Sequence, residues 1–131
     1  MSGATRDVTF APDPGADPRI VHGGTISAAV YELMADVILA SSEALVVCSS
    51  LRVRFLQPVR PGEQYQVTAR PTGTWPGGFH AAAEICGPDG GLAVAAVASY
   101  RLVRPEQWHA ADDGNNHGTT SKGNGDYDEP Q

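Results

Sequence analysis

What most restricts the fold of this chain is a change of hydrophobic period. After Val21-His22-Gly23-Gly24, the residues Ile26, Val30, Leu33, Val37 and Ala40 recur at steps of three and four, with Ala29 and Met34 at the flanks. No Gly or Pro interrupts the run to about Ser41. That spacing predicts one amphipathic helix. Thr25 or Ser27 is expected to cap it, because a short hydroxyl can accept from the first free N–H groups. Glu32 and Asp36, four apart, fall together near its opposite side. From residue 45 the period becomes two. Residues 45–56 read as a long strand with Leu45, Val47, Ser49, Leu51, Val53 and Phe55 on one face. Val46, Cys48, Ser50, Arg52, Arg54 and Leu56 take the other.

Further strands follow, separated by Pro/Gly turn signals at Pro58, Pro61-Gly62, Trp75-Pro76-Gly77-Gly78 and Gly87-Pro88-Asp89-Gly90-Gly91. Residues 64–70 turn Tyr65, Val67 and Ala69 inward, 79–86 turn Phe79, Ala81, Ala83 and Ile85, and 92–103 turn Leu92, Val94, Ala96, Ala98, Tyr100 and Leu102. A short strand over 7–11, with Val8 and Phe10 on one face, precedes the loop from Pro12 to Pro18, and residues 1–4 are expected to fray. One helix followed by a run of strands predicts an α+β domain, an antiparallel five-stranded sheet with the helix packed on one face. The small residues Ala81, Ala83, Ala96 and Ala98 would let the helix approach closely. Open sheet edges predict dimerisation through an edge.

Charge divides the chain. Of the formal −6, residues up to Gln107 carry eight cations against ten acids, a net of −2, and the remainder one against five, a net of −4. The expected organisation is a domain over 1–107 and a polar, acidic tail over 108–131, too poor in apolar residues to offset the entropy of ordering. With no basic stripe, a nucleic-acid partner is not expected. No run approaches the roughly 20 apolar residues of a membrane span, and the start of the chain lacks the features of a secretory signal. Cys48 and Cys86 lack metal-ligand spacing and read as a reduced, cytoplasmic pair.

Chemistry is expected where the glycines open the helix. Unpaired N–H groups and the positive dipole end favour developing negative charge there. Glycine also lets a substrate approach the main chain. His22 is either part of that site or the cap of a structural turn.

His22-Gly23-Gly24, the helix, and Arg54-Phe55-Leu56-Gln57-Pro58-Val59-Arg60-Pro61-Gly62 together resemble the hotdog-fold thioesterases of the phenylacetate-pathway (PaaI-like) type, over about residues 7–104. The resemblance implies a five-stranded antiparallel sheet wrapped around one central helix. It implies cleavage of acyl thioesters of coenzyme A or acyl carrier protein, no cofactor and no metal, in a homodimer or dimer of dimers with sites at subunit interfaces. It places the thioester carbonyl on the Gly23 N–H, beside His22 and Gly24. The family's usual acid, nine residues after the histidine, falls at Tyr31. Glu32 follows one residue later and is the expected base, reaching the site by a local bulge. The frequent Asn six residues before the histidine falls at Ala16. A serine that helps place water falls at Cys48 or Ser49. Two other hotdog activities stand beside hydrolysis. One is non-hydrolytic binding or shaping of an acyl or polyketide-like intermediate, with Tyr31 lining the cleft. The other is enoyl-thioester hydration by Asp17 and His22, which have the five-residue separation of that family's acid–base pair.

Overall fold

The computed structural model of the chain describes residues 2–15, 17–42 and 45–103. The elements run β1 (Ala4–Thr9), α1 (Gly23–Ser41), β2 (Val46–Phe55), β3 (Gln64–Trp75), β4 (Gly78–Cys86) and β5 (Leu92–Leu102). The strands form one antiparallel sheet in the order β1-β3-β4-β5-β2. β1 therefore begins at Ala4, inside the stretch expected to fray. The tail expected over 108–131 lies outside the described residues.

α1 lies on one face of the sheet, mainly over β3 and β4. Ile26, Val30, Leu33, Met34, Val37 and Ile38 are its buried stripe. Below it sit Val67 and Ala69 of β3, Ala81, Ala83 and Ile85 of β4, and Val94, Ala96, Ala98 and Tyr100 of β5. The alanines keep this floor shallow, so the helix sinks into the sheet. By length and hydropathy alone α1 would also pass for a membrane span. Its most apolar face is spent against the sheet instead.

Two departures from simple alternation have local causes. A bulge in β2 between Cys48 and Ser50 inserts one residue opposite β5. The insertion exchanges the faces of the strand on either side of it. Val53 packs against the core as expected, but so do Val46 and Cys48, in place of Val47 and Ser49. The Ser49 hydroxyl instead donates to the Ser99 carbonyl at 3.1 Å. In β3 the strand continues past Arg70, the last residue of the expected alternating run, through Pro71 and a bulge at Pro71/Gly73. The ladder to β1 ends at Ala4↔Ala69. Pro71 thus stands where β3 has become an edge, and its missing N–H leaves no partner unpaired on that side. Gly90, with φ 84°, makes the β4–β5 turn possible.

Among the described residues, the buried Tyr100 hydroxyl has no hydrogen-bond partner. Burial, then the neighbouring Cys48 and Tyr31 groups, push this phenol well above its ordinary range. A raised folded value contributes stability that is complete below the unfolded value of 10.0 and lost as the pH climbs past it. We expect Tyr100→Phe to hold or gain about 1 kcal/mol near neutrality, since an unpaired buried hydroxyl is costly. It should also flatten the loss of stability above about pH 10. Denaturant unfolding across pH checks both. A clear loss in the variant would mean that the hydroxyl has a partner in solution.

Candidate active site

The helix starts two residues before the earliest expected cap. His22 is the N-cap, extended at φ −62° and ψ 140°, and its Nδ1 accepts from the Gly24 N–H at 2.9 Å. The first turn contains no acid. The Gly23 N–H has no acceptor among the described residues, so the positive end of α1 is left open there. The His22 carbonyl accepts from Ile26 at 3.2 Å and begins the helical ladder. The Asp13 carboxylate accepts the His22 N–H at 3.3 Å and ties the preceding loop to the corner. Asp13 sits among prolines and glycine, where no periodic signal in the sequence singles it out.

The two stretches that carry the family resemblance meet here. Val21 donates to the Val59 carbonyl at 2.8 Å. Leu56 and Gln57 both donate to the Ala93 carbonyl, at 2.8 and 3.1 Å, which turns the chain sharply after β2. That turn sets the Phe55 ring against Gly23, where an added Cβ would stand 3.4 Å from its Cζ. Ile20, Val21, Gly23, Ile26, Phe55 and Val59 are among the residues lining a groove of about 420 Å³. A free backbone donor in a groove lined mostly by apolar side chains, with Gln57 the polar one, suits a carbonyl oxygen followed by an acyl chain.

The remaining candidates are spread along α1 and β2. Tyr31 is eight residues past Gly23, about 12 Å along the axis and some 80° round it. It is partly exposed, on the flank that faces β2 and β5, and is an electrostatic neighbour of Tyr100. α1 is helical without interruption from Gly23 to Ser41, so no bulge turns Glu32 toward its own Gly23. Glu32 is exposed on the side of the helix away from the core. Asp36 is held by Arg6 at 3.2 Å. Cys48 donates to the Ser50 carbonyl at 3.3 Å, and burial raises its thiol. Asp17 is bound by Arg19 through contacts of 2.8 to 3.0 Å, which lower its carboxyl below the usual range. It is engaged there rather than with His22.

A single helix embraced by an antiparallel sheet in this strand order, with a glycine corner opening the helix, is the hotdog fold. The family model described as "Thioesterase superfamily" matches residues 19–94, and the chain belongs to that superfamily. No curated protein matches by sequence. Among solved structures, a mutant acyl-CoA hydrolase from Staphylococcus aureus superposes with TM-score 0.71 at 20% identity, over 79% of this chain and 68% of that one. A thioesterase superfamily member from Thermus thermophilus gives TM-score 0.75 at 16% identity, over 87% and 90%. A Streptococcus mutans protein solved bound to acetyl CoA gives TM-score 0.71 at 10% identity, over 77% and 81%.

Proposed function

We propose that this chain hydrolyses acyl thioesters, with the carbonyl oxygen on the Gly23 N–H and the acyl chain in the groove under Phe55. The observation that carries the reading is the unclaimed Gly23 donor at a helix N-terminus whose first turn holds no acid. As the carbonyl carbon becomes tetrahedral its oxygen gains charge, and a fixed N–H in an apolar groove gains strength with it. Membership in the superfamily and likeness to structures of an acyl-CoA hydrolase and an acetyl-CoA complex support coenzyme A as the thiol.

The site is completed by a second copy. β2 is an edge strand ten residues long, with Leu51 and Phe55 exposed beside it. Joining two such edges about a two-fold axis removes both from solvent. The operation also sets the two α1 helices antiparallel, so the glycine corner of one copy lies alongside the later turns of the other. Tyr31 then faces the shared cleft, with Cys48 and Ser49 on the strand behind it. Glu32, one residue on with a flexible side chain, is the base that readies water across the axis. The free thiols Cys48 and Cys86 fit a reducing, cytoplasmic setting.

The test is thiol release from a panel of aliphatic and aromatic acyl thioesters, on coenzyme A and on carrier protein, with native mass measured on the same sample. Turnover by a species of at least twice 13.7 kDa is expected. A monomer, or silence across the whole panel, contradicts the reading. A second reading, acyl-thioester binding without hydrolysis, is favoured by one observation: Tyr31 stands at the helix position where a carboxylate would serve. Saturable binding without thiol release would select it.

A further inference from the structure

The outer face of the sheet, opposite α1, carries a feature that thioester chemistry does not use. Arg52 of β2, Val97 of β5, Ala82 of β4 and Arg70 of β3 are successive partners across one rung. The next rung joins Arg54, Ala95, Glu84 and Thr68. On the other side, Ser50, Ser99 and His80 continue the row, with His80 Nδ1 3.0 Å from the Ser99 hydroxyl. Ala82, Ala95 and Ser99 keep the inner strands low between Arg52 and Arg54 on β2 and Arg70 on β3, with His80, Glu84 and Val97 rising from the floor of the resulting gutter. Its main hollow is about 670 Å³, and a smaller one of about 180 Å³ adjoins it between Arg54 and Glu84. The walls stand three strand spacings apart, about 14 Å. Glu84 reaches Arg70 only at 3.9 Å, and both are largely exposed. Arg52 and Arg54 have no acid partner among the described residues.

We infer that this gutter is the docking surface for the chain's own acidic segment, residues 104–131. Charge complementarity is the first argument. Beyond Gln107 the chain carries Asp112, Asp113, Asp126, Asp128 and Glu129 against Lys122 alone. The second is where the segment begins. The Leu102 N–H is held by the Gly77 carbonyl and the Val103 N–H by the Leu45 carbonyl, both at 2.8 to 2.9 Å. That anchors the exit of β5 four residues past Ser99, at the end of the gutter. Nine further residues reach Asp112, a span of up to about 30 Å, against a gutter about 13 Å long from Ser99 to Ala95. Tethering so close makes the encounter intramolecular, at an effective concentration on the order of millimolar. A second copy of the sheet face would set Arg52, Arg54 and Arg70 against like charges. The contact needs no folded tail, only several weak ion pairs acting together, and is therefore sensitive to salt.

The experiment is residue-resolved modification of arginines by a dicarbonyl reagent on the full chain at low ionic strength, read by mass spectrometry. The wild type is compared with the variant Asp112→Asn, Asp113→Asn, Asp126→Asn, Asp128→Asn, Glu129→Gln. Modification of Arg52, Arg54 and Arg70 should rise about threefold or more in the variant, the protection expected of a few weak pairs. Added salt should raise the wild-type rates to match. Arg19, exposed on the loop before α1 and paired with Asp17, should not change. Equal rates at the three arginines in both proteins would overturn the inference. So would protection that appears only as protein concentration rises, which would assign the gutter to the tail of a second copy.

Discussion

Gly23→Pro should lower kcat toward thioesters by about 10²- to 10³-fold, the usual cost of deleting one oxyanion donor, while leaving the melting temperature where it was. Proline removes the N–H and nothing else that the fold needs. Gly23 is the first helical residue, a position where that donor has no intrahelical acceptor and where proline is favoured. His22 already holds φ −62° and ψ 140°, the extended geometry required of a residue before proline. The neighbour that must yield is Phe55, whose ring is about half exposed and free to move. Gly23→Ala is the control. It retains the N–H and places a carbon where the proline ring would begin, so it should keep most of the activity. Steady-state kinetics and thermal melts on the three proteins separate a lost donor from a crowded groove. Equal losses in the alanine and proline variants would make the effect steric.

Glu32→Ala should lower kcat by about 100-fold or more, the contribution of a positioned general base, with KM little changed. The fold should not notice. Glu32 is exposed and without an ion pair in the described residues, and alanine is the better helix former. A loss in kcat with native mass unchanged separates lost chemistry from a lost dimer. Mixing Glu32→Ala with Gly23→Pro protein sharpens this. Each parent has one defect, and a mixed dimer carries one intact site from the two halves. Activity regained on mixing would place the donor and the base on different copies. If Glu32→Ala turns over at the wild-type rate, the carboxylate is not the base.

Much of this architecture could be read from the sequence, because each element is set by a local pattern. The three- and four-residue steps from Ile26 to Ala40 specified the helix, and alternation specified β4 and β5 with Ala81, Ala83, Ile85, Val94, Ala96, Ala98 and Tyr100 inward, while Leu92 and Leu102, expected inward at the ends of β5, are exposed. Two of the misses depend on a partner elsewhere in the chain, and the third on which residue takes the extended backbone. Val46 and Cys48 reach the core because of a bulge opposite Tyr100 and Ser99, and nothing in residues 45–50 announces it. The expected run stops at Arg70, yet β3 continues through Pro71 on its pairing with β4, past the point where β1 stops at Ala4. Thr25 and Ser27 are the better cap residues by type, but His22 has the extended backbone and an Nδ1 that reaches Gly24.

The site was legible in part for the same reason. The glycine corner is a local signal, and so is its open N–H. That Phe55 would cover Gly23 follows only from the turn in which Leu56 and Gln57 share the Ala93 carbonyl. The register of the acid belongs to another level again. An uninterrupted helix fixes Tyr31 and Glu32 about 100° apart. Which of them meets the substrate depends on how two copies pack.

The central claim is that the substrate carbonyl sits on the Gly23 N–H, and the Gly23 amide resonance of isotope-labelled protein reports on it directly. The probe is an acyl-coenzyme A analogue with the thioester sulfur replaced by methylene, which keeps the carbonyl and resists cleavage. A saturable downfield shift of the Gly23 amide proton, larger than that of Gly24, whose N–H is already held by His22, is the predicted result. Saturable shifts elsewhere in the groove with Gly23 unmoved would contradict it.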